Sequence, residues 1–132
     1  MPNIRVTLEL EQERNNLVYA NLTFLNVGSE TAHLWRRIAL LDGRLNAERF
    51  IVTQDGKVLA YTGRTAKVGA PQPGDFVPLA PGKSVSARVL LNQGYAIASR
   101  GQLKAQYEGF NPSIGSDALT RLISNVASLD LQ

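Results

Sequence analysis

This 132-residue sequence predicts an all-β fold, an antiparallel two-sheet sandwich with an immunoglobulin-like layout, and three observations carry that reading. Apolar and polar side chains alternate with period two in several runs, so each strand has one buried and one wetted face. Turn signals recur about every 8–12 residues, the spacing of short sandwich strands. The turns also have specific chemistry. Asp55-Gly56 supplies the positive φ angles of a tight hairpin, and Pro81-Gly82 fits the two central positions of a type II turn. The pattern gives about seven to eight strands in one domain over residues 1–132.

In chain order, Ile4, Val6, Leu8 and Leu10 alternate with Arg5, Thr7, Glu9 and Glu11, and Arg14-Asn15-Asn16 makes the turn. Val18, Ala20, Leu22 and Phe24 alternate with Tyr19, Asn21 and Thr23 until Asn26-Val27-Gly28-Ser29 ends the run. Ala32 to Trp35 is a short third strand, followed by Arg36-Arg37, and Ile38 to Leu41 is apolar up to Asp42-Gly43. Phe50 to Thr53 and Val58 to Tyr61 form the hairpin around Asp55-Gly56, and an irregular segment runs from Gly63 to Pro78. Val85, Ala87, Val89 and Leu91 alternate with Ser84, Ser86 and Arg88, and Gly101 to Tyr107 is the next strand. In the tail, Ala118, Leu119, Leu122, Ile123 and Val126 fit a helical face behind a Ser116-Asp117 cap. A short helical turn near residues 116–122 is therefore expected before a terminal strand.

Composition narrows the function. An apolar content of 44% is ordinary for a globular protein and argues against disorder, and the length permits burial of roughly two thirds of the unfolded surface. Charged residues are 19%, below the usual ~25%, with Asn, Gln, Ser and Thr in their place. The net charge is +3, but the ten arginines are scattered from Arg5 to Arg121, and Arg36-Arg37 is their tightest cluster. A nucleic-acid surface needs a concentrated basic face with stacking aromatics, so no nucleic-acid partner is expected. The absence of cysteine excludes disulfides, thiolate metal sites and cysteine nucleophiles. No run approaches the ~18 apolar residues of a membrane span, so no membrane partner is expected. Met1-Pro2-Asn3-Ile4 opens directly into a strand pattern, so no signal peptide is expected within these 132 residues.

No residue set suggests catalysis, and no cofactor or metal is expected. His33 is the single histidine, which excludes a zinc site of histidines. Glu9, Glu11 and Glu13 share one strand face, but a hard cation wants six or more oxygens converging from several loops. Gly69, Gly74 and Gly82 lie among prolines with no helix start behind them, so they are no phosphate cradle. Asn21-Leu22-Thr23 matches a glycosylation sequon inside a strand. Trp35 and Tyr61 are read as packing residues, and Tyr95 as a loop anchor through a hydroxyl hydrogen bond. The segment Arg64–Phe76 is the one place that suggests a partner. It is long for a connection, and its prolines reduce the entropy lost on ordering. Its candidate contacts are Arg64, Lys67, Val68, Pro71, Pro73, Asp75 and Phe76.

Asn26-Val27-Gly28-Ser29, Leu34-Trp35, Leu41-Asp42-Gly43 and the run from Phe50 through Val52, Asp55-Gly56-Lys57-Val58 and Tyr61 to Gly63 come in a recognisable order. So do Lys67, Pro71, Asp75-Phe76, Leu79 to Ser84, Leu91 to Tyr95, Gly101, Tyr107 and Ser124-Asn125. Together they resemble the N-terminal β-sandwich of deuterolysin-type (M35, aspzincin) metallopeptidases over about residues 16–131. The resemblance implies a propeptide-like companion that holds a secreted or periplasmic zinc peptidase inactive. The chain lacks the helical His-Glu-x-x-His of such a peptidase domain. The basic pair that often follows the propeptide lysine is also weakened, reading Lys67-Val68-Gly69. The expected function is thus a non-enzymatic, protein-binding inhibitor or escort of a metallopeptidase. The alternative is a structural or adhesive domain that uses sheet edges or loops for self-association or carbohydrate contact.

Overall fold

The computed structural model describes residues 3–66 and 69–132, and those residues form an antiparallel all-β sandwich. β1 (Ile4–Gln12) and β2 (Val18–Asn26) are a hairpin closed by Arg14–Asn16, where Asn15 and Asn16 both take positive φ. β3 (Ala32–Trp35) follows, then β4 (Phe50–Gln54) and the two-residue β5 (Lys57–Val58). Next come β6 (Phe76–Leu79), β7 (Ser84–Leu90) and β8 (Gly101–Pro112). β9 (Leu119–Ile123) and β10 (Ala127–Leu131) end the chain. One sheet has the order β1-β2-β7; the other has the order β10-β8-β4-β5, with β9 also on β8. β3 and β6 form a separate ribbon.

The alternation dictates the layers. Val6, Leu8, Val18, Ala20, Leu22, Phe24, Ala87 and Val89 point inward from one sheet, and Phe50, Val52, Leu103, Ala105 and Tyr107 from the other. Tyr107 stands at the centre, edge-on to Phe24 and Phe50 at ring separations of 5.6 and 5.7 Å. Its hydroxyl donates to the Ile38 carbonyl, and burial pushes its pKa up, so it remains a neutral donor. The expected loop anchor is present too: Tyr95 donates to the Phe50 carbonyl at 2.8 Å. Asp55 at φ 50° and Gly56 at φ 81° make the β4–β5 turn. Gly82 at φ 80° completes the Pro-Gly turn, with the Lys83 N–H donating to the Ala80 carbonyl.

Four expectations are corrected. Ten strands are present among the described residues, not seven to eight, because β6 begins within the segment read as irregular and the tail gives two strands. The helical turn near residues 116–122 is absent: Ser113–Ala118 is a hairpin loop, and Leu119–Ile123 is a strand paired with Glu108–Pro112. The hairpin strand expected over Val58–Tyr61 is confined to Lys57–Val58. The apolar run Ile38–Leu41 is a turn whose first three residues are buried, with Leu40 at φ 55°.

β9 and β10 lie on the same side of β8. Ile123 is opposite Glu108 and Ala127 is opposite Ala105, so three residues of the return strand face two of β8, which makes a bulge. The bulge brings Ser124 and Asn125 against the edge of β1. Val6 bridges Ser124, and the Asn125 carboxamide accepts from the Leu8 N–H at 2.8 Å and donates to the Leu8 carbonyl at 3.0 Å. The amide thus substitutes for a strand residue and seams the two sheets. Asn111 does the same for β3, accepting from the Trp35 N–H and donating to the His33 carbonyl. Among the described residues no helix is long and apolar enough to cross a membrane.

Candidate partner-binding segment

The ends of the segment that joins β5 to β6 are fixed by hydrogen bonds and burial. At its start Tyr61 packs against Tyr95 and donates to the Arg64 carbonyl. The Ala66 N–H donates to the Asn46 carbonyl, and the Ala66 carbonyl accepts from the Arg37 guanidinium at 2.7 Å. At its end a 3-10 turn, Pro73–Asp75, is closed by a capping box between Gln72 and Asp75. The Asp75 carbonyl then accepts from the Arg36 N–H. Phe76 is buried and pairs with Trp35 across the β3–β6 ribbon.

The candidate residues do not converge on one point. Arg64 borders a shallow hollow of about 340 Å³ with Arg44, Leu45 and Gln93. Asp75 lies on a groove of about 580 Å³ walled by Trp35, Arg36, Arg37 and Leu41. Pro71, Pro73 and Phe76 line a second groove of about 560 Å³, whose far wall is the β8–β9 hairpin tip with Pro112, Ile114 and Leu119. The part from Gly69 to Asp75 is therefore a ridge between two grooves. Arg64, Pro73 and Asp75 are exposed and Pro71 is half-buried, while Phe76 is an anchor below the ridge. Lys67 and Val68 lie outside the described residues.

Sequence reasoning did not place Arg36-Arg37 or the hairpin tip beside this segment. The double arginine was visible as the tightest basic pair, but only the β3–β6 pairing carries it to the root of the ridge. Asn46 organises that root: it donates to the Arg37 carbonyl at 3.0 Å and accepts from Arg49 at 3.2 and 3.3 Å. Burial, reinforced by Arg37, lowers the pKa of the Arg49 guanidinium.

The remaining candidates have ordinary places. His33 is exposed on β3, with its carbonyl bound by Asn111. Of the acidic row on β1, Glu11 and the following Glu13 converge on Arg88 at 3.2 and 2.7 Å. Asn21 of the sequon is paired within the sheet and donates to Glu11. Chemically, the arrangement offers hydrogen-bonding backbone, proline surface and two grooves for side chains. No known family model matches the chain, and no characterised protein matches it either.

Proposed function

We propose that the chain is a non-catalytic protein-binding module, similar to a metallopeptidase pro-domain, that inhibits or escorts a secreted zinc peptidase. The observation that carries this reading is the exposed stretch Gly69–Asp75, closed by the Gln72–Asp75 capping box and held at its exit by buried Phe76, with Ala66 bonded to Arg37 on the approach. Prolines that restrict a backbone before binding reduce the entropy lost when a partner closes over it. The resemblance to aspzincin pro-domains supplies the class of partner. In this reading the sandwich is a passive support, Pro71 and Pro73 set a backbone that resists cleavage, and Lys67 enters a specificity pocket.

Mixing the purified chain with aspzincin peptidases and measuring residual activity tests the proposal. Inhibition is expected, and it weakens when Lys67 is replaced by Ala or when Pro71 and Pro73 are both replaced by Ala. Unchanged activity at large molar excess, against several such enzymes, overturns it.

A further inference from the structure

Among the described residues, most of the large exposed apolar side chains lie on the outer face of the β10-β8-β4-β5 sheet and of β9. Residues directly opposite in an antiparallel pair share a face, so Ile51 lies with Gln106, Phe110 with Arg121, Pro112 with Leu119, and Ile123 with Glu108. Ile51, Phe110, Leu119 and Ile123 are all exposed, as are Val58 on β5 and Val126 in the bulge. Exposed apolar side chains concentrated on one flat face mark an interaction surface.

We propose that this face docks a second copy of the chain, sheet against sheet, about a two-fold axis crossing β8 at Gln106. The charges on the face fix that axis. Lys104 and Glu108 lie two residues to either side of Gln106 on β8, and both side chains point outward. On the neighbouring strands, Arg121 is opposite Phe110 and Asp130 is opposite Gln102, each four residues from the same centre. A two-fold axis across the strands at Gln106 therefore places Lys104 over Glu108 of the copy and Arg121 over Asp130 of the copy. Each of these four charges meets its opposite, and each pair forms twice, as an isologous interface requires. Arg121 holds Glu108 of its own chain through Nε, which leaves its Nη groups free to reach the copy. Ile51, opposite Gln106, falls on the axis and meets its own counterpart.

The area is sufficient for a moderate association. Three strands about 4.8 Å apart and up to twelve residues long give about 600 Å² per copy. The pair then buries about 1,200 Å², the low end of specific interfaces, so a micromolar dimer is expected.

Sedimentation velocity over concentrations from low micromolar to near-millimolar tests the proposal. The wild-type chain is expected to shift from monomer to dimer. Ile51→Lys puts two ammonium groups against each other on the axis and abolishes the shift, whereas Thr7→Lys on the opposite outer face leaves it unchanged. Lys104→Glu faces Glu108 of the copy and raises the dimer Kd roughly tenfold or more, and adding Glu108→Gln recovers part of the loss. Circular dichroism confirms that each variant is folded. A wild-type chain that stays monomeric, a dimer that survives Ile51→Lys, or a Lys104→Glu chain that dimerises normally overturns the proposal. Ile51→Lys leaves peptidase inhibition intact, so this inference and the pro-domain reading fail separately.

Discussion

The outer face of β1, β2 and β7 carries Thr7, Thr23, Ser84 and Ser86 around a knot of charge, whereas that of β4, β8 and β9 carries Ile51, Phe110, Leu119 and Ile123. In the knot, Arg88 lies 3.6 Å over the Tyr19 ring and bonds Glu11 and Glu13, while Asn21 donates to Glu11. None of the large exposed apolar residues belongs to this face among the described residues. Both faces rest on the same inward alternation, so burial of the core does not explain the difference. One surface ties its charges into a network, and the other keeps large apolar side chains exposed beside the Arg121–Glu108 pair. A sheet that needs no partner and a sheet that suits one can thus share a single core.

The comparison is sharpest at the seam, where the largest effect is expected. Asn125→Ala leaves the Leu8 N–H and carbonyl without partners at the edge where the two sheets meet. A loss of about 1–3 kcal/mol is expected in urea unfolding, since an unsatisfied, partly buried pair costs more than an exposed bond. Asn125→Asp restores the acceptor alone and recovers part of that loss. If the alanine variant is as stable as the wild type, the two sheets are joined by core packing and not by this amide.

The second effect follows from dimer formation. Binding that occurs only in the folded state raises the midpoint of unfolding with protein concentration. Thermal melts of the wild type are expected to rise roughly 2–4 °C per tenfold concentration, and those of Ile51→Lys to stay flat. At low concentration the two midpoints coincide, because Ile51 is 53% exposed and lies outside the core. A lower Ile51→Lys midpoint at every concentration would instead make Ile51 a residue of the fold.

The polar face was legible in the sequence, and the apolar one was not. β1, β2 and β7 alternate cleanly because one side is wet, and period two shows only under that condition. In β9, Leu122 points inward while Leu119 and Ile123 point outward, so apolar residues fall on both sides. Two-sided apolarity erases the alternation and leaves spacings of three and four, which read as a helix. The ridge was legible in outline, from its length and prolines. Its neighbours were not, because long-range pairings set them: β3 on β6 brings up Arg36-Arg37, and Asn111 on Trp35, across 76 positions, ties β8 to β3. Nothing local in the sequence marks a carboxamide as a substitute for a strand.

The smallest effect tests whether the polar face is as self-contained as its contacts imply. Glu11 is held below its ordinary value of 4.5, chiefly by the Asn21 carboxamide and then by Arg88. A carboxylate with a depressed folded pKa contributes stability that is present above its unfolded value and is lost as pH falls through the folded one. Acid should therefore weaken the wild type slightly more than Glu11→Gln, with the difference confined to the range below about 4.5. An NMR titration of the Glu11 carboxyl should show its pKa raised by Asn21→Ala and also by Arg88→Gln. Salt should erode the arginine contribution but not the amide's, because only the former is an exposed charge pair open to screening. A shift on Arg88→Gln with none on Asn21→Ala would mean that an ion pair, not a hydrogen-bonded network, organises this face. Its contrast with the apolar face would then depend on ionic strength, not on shape.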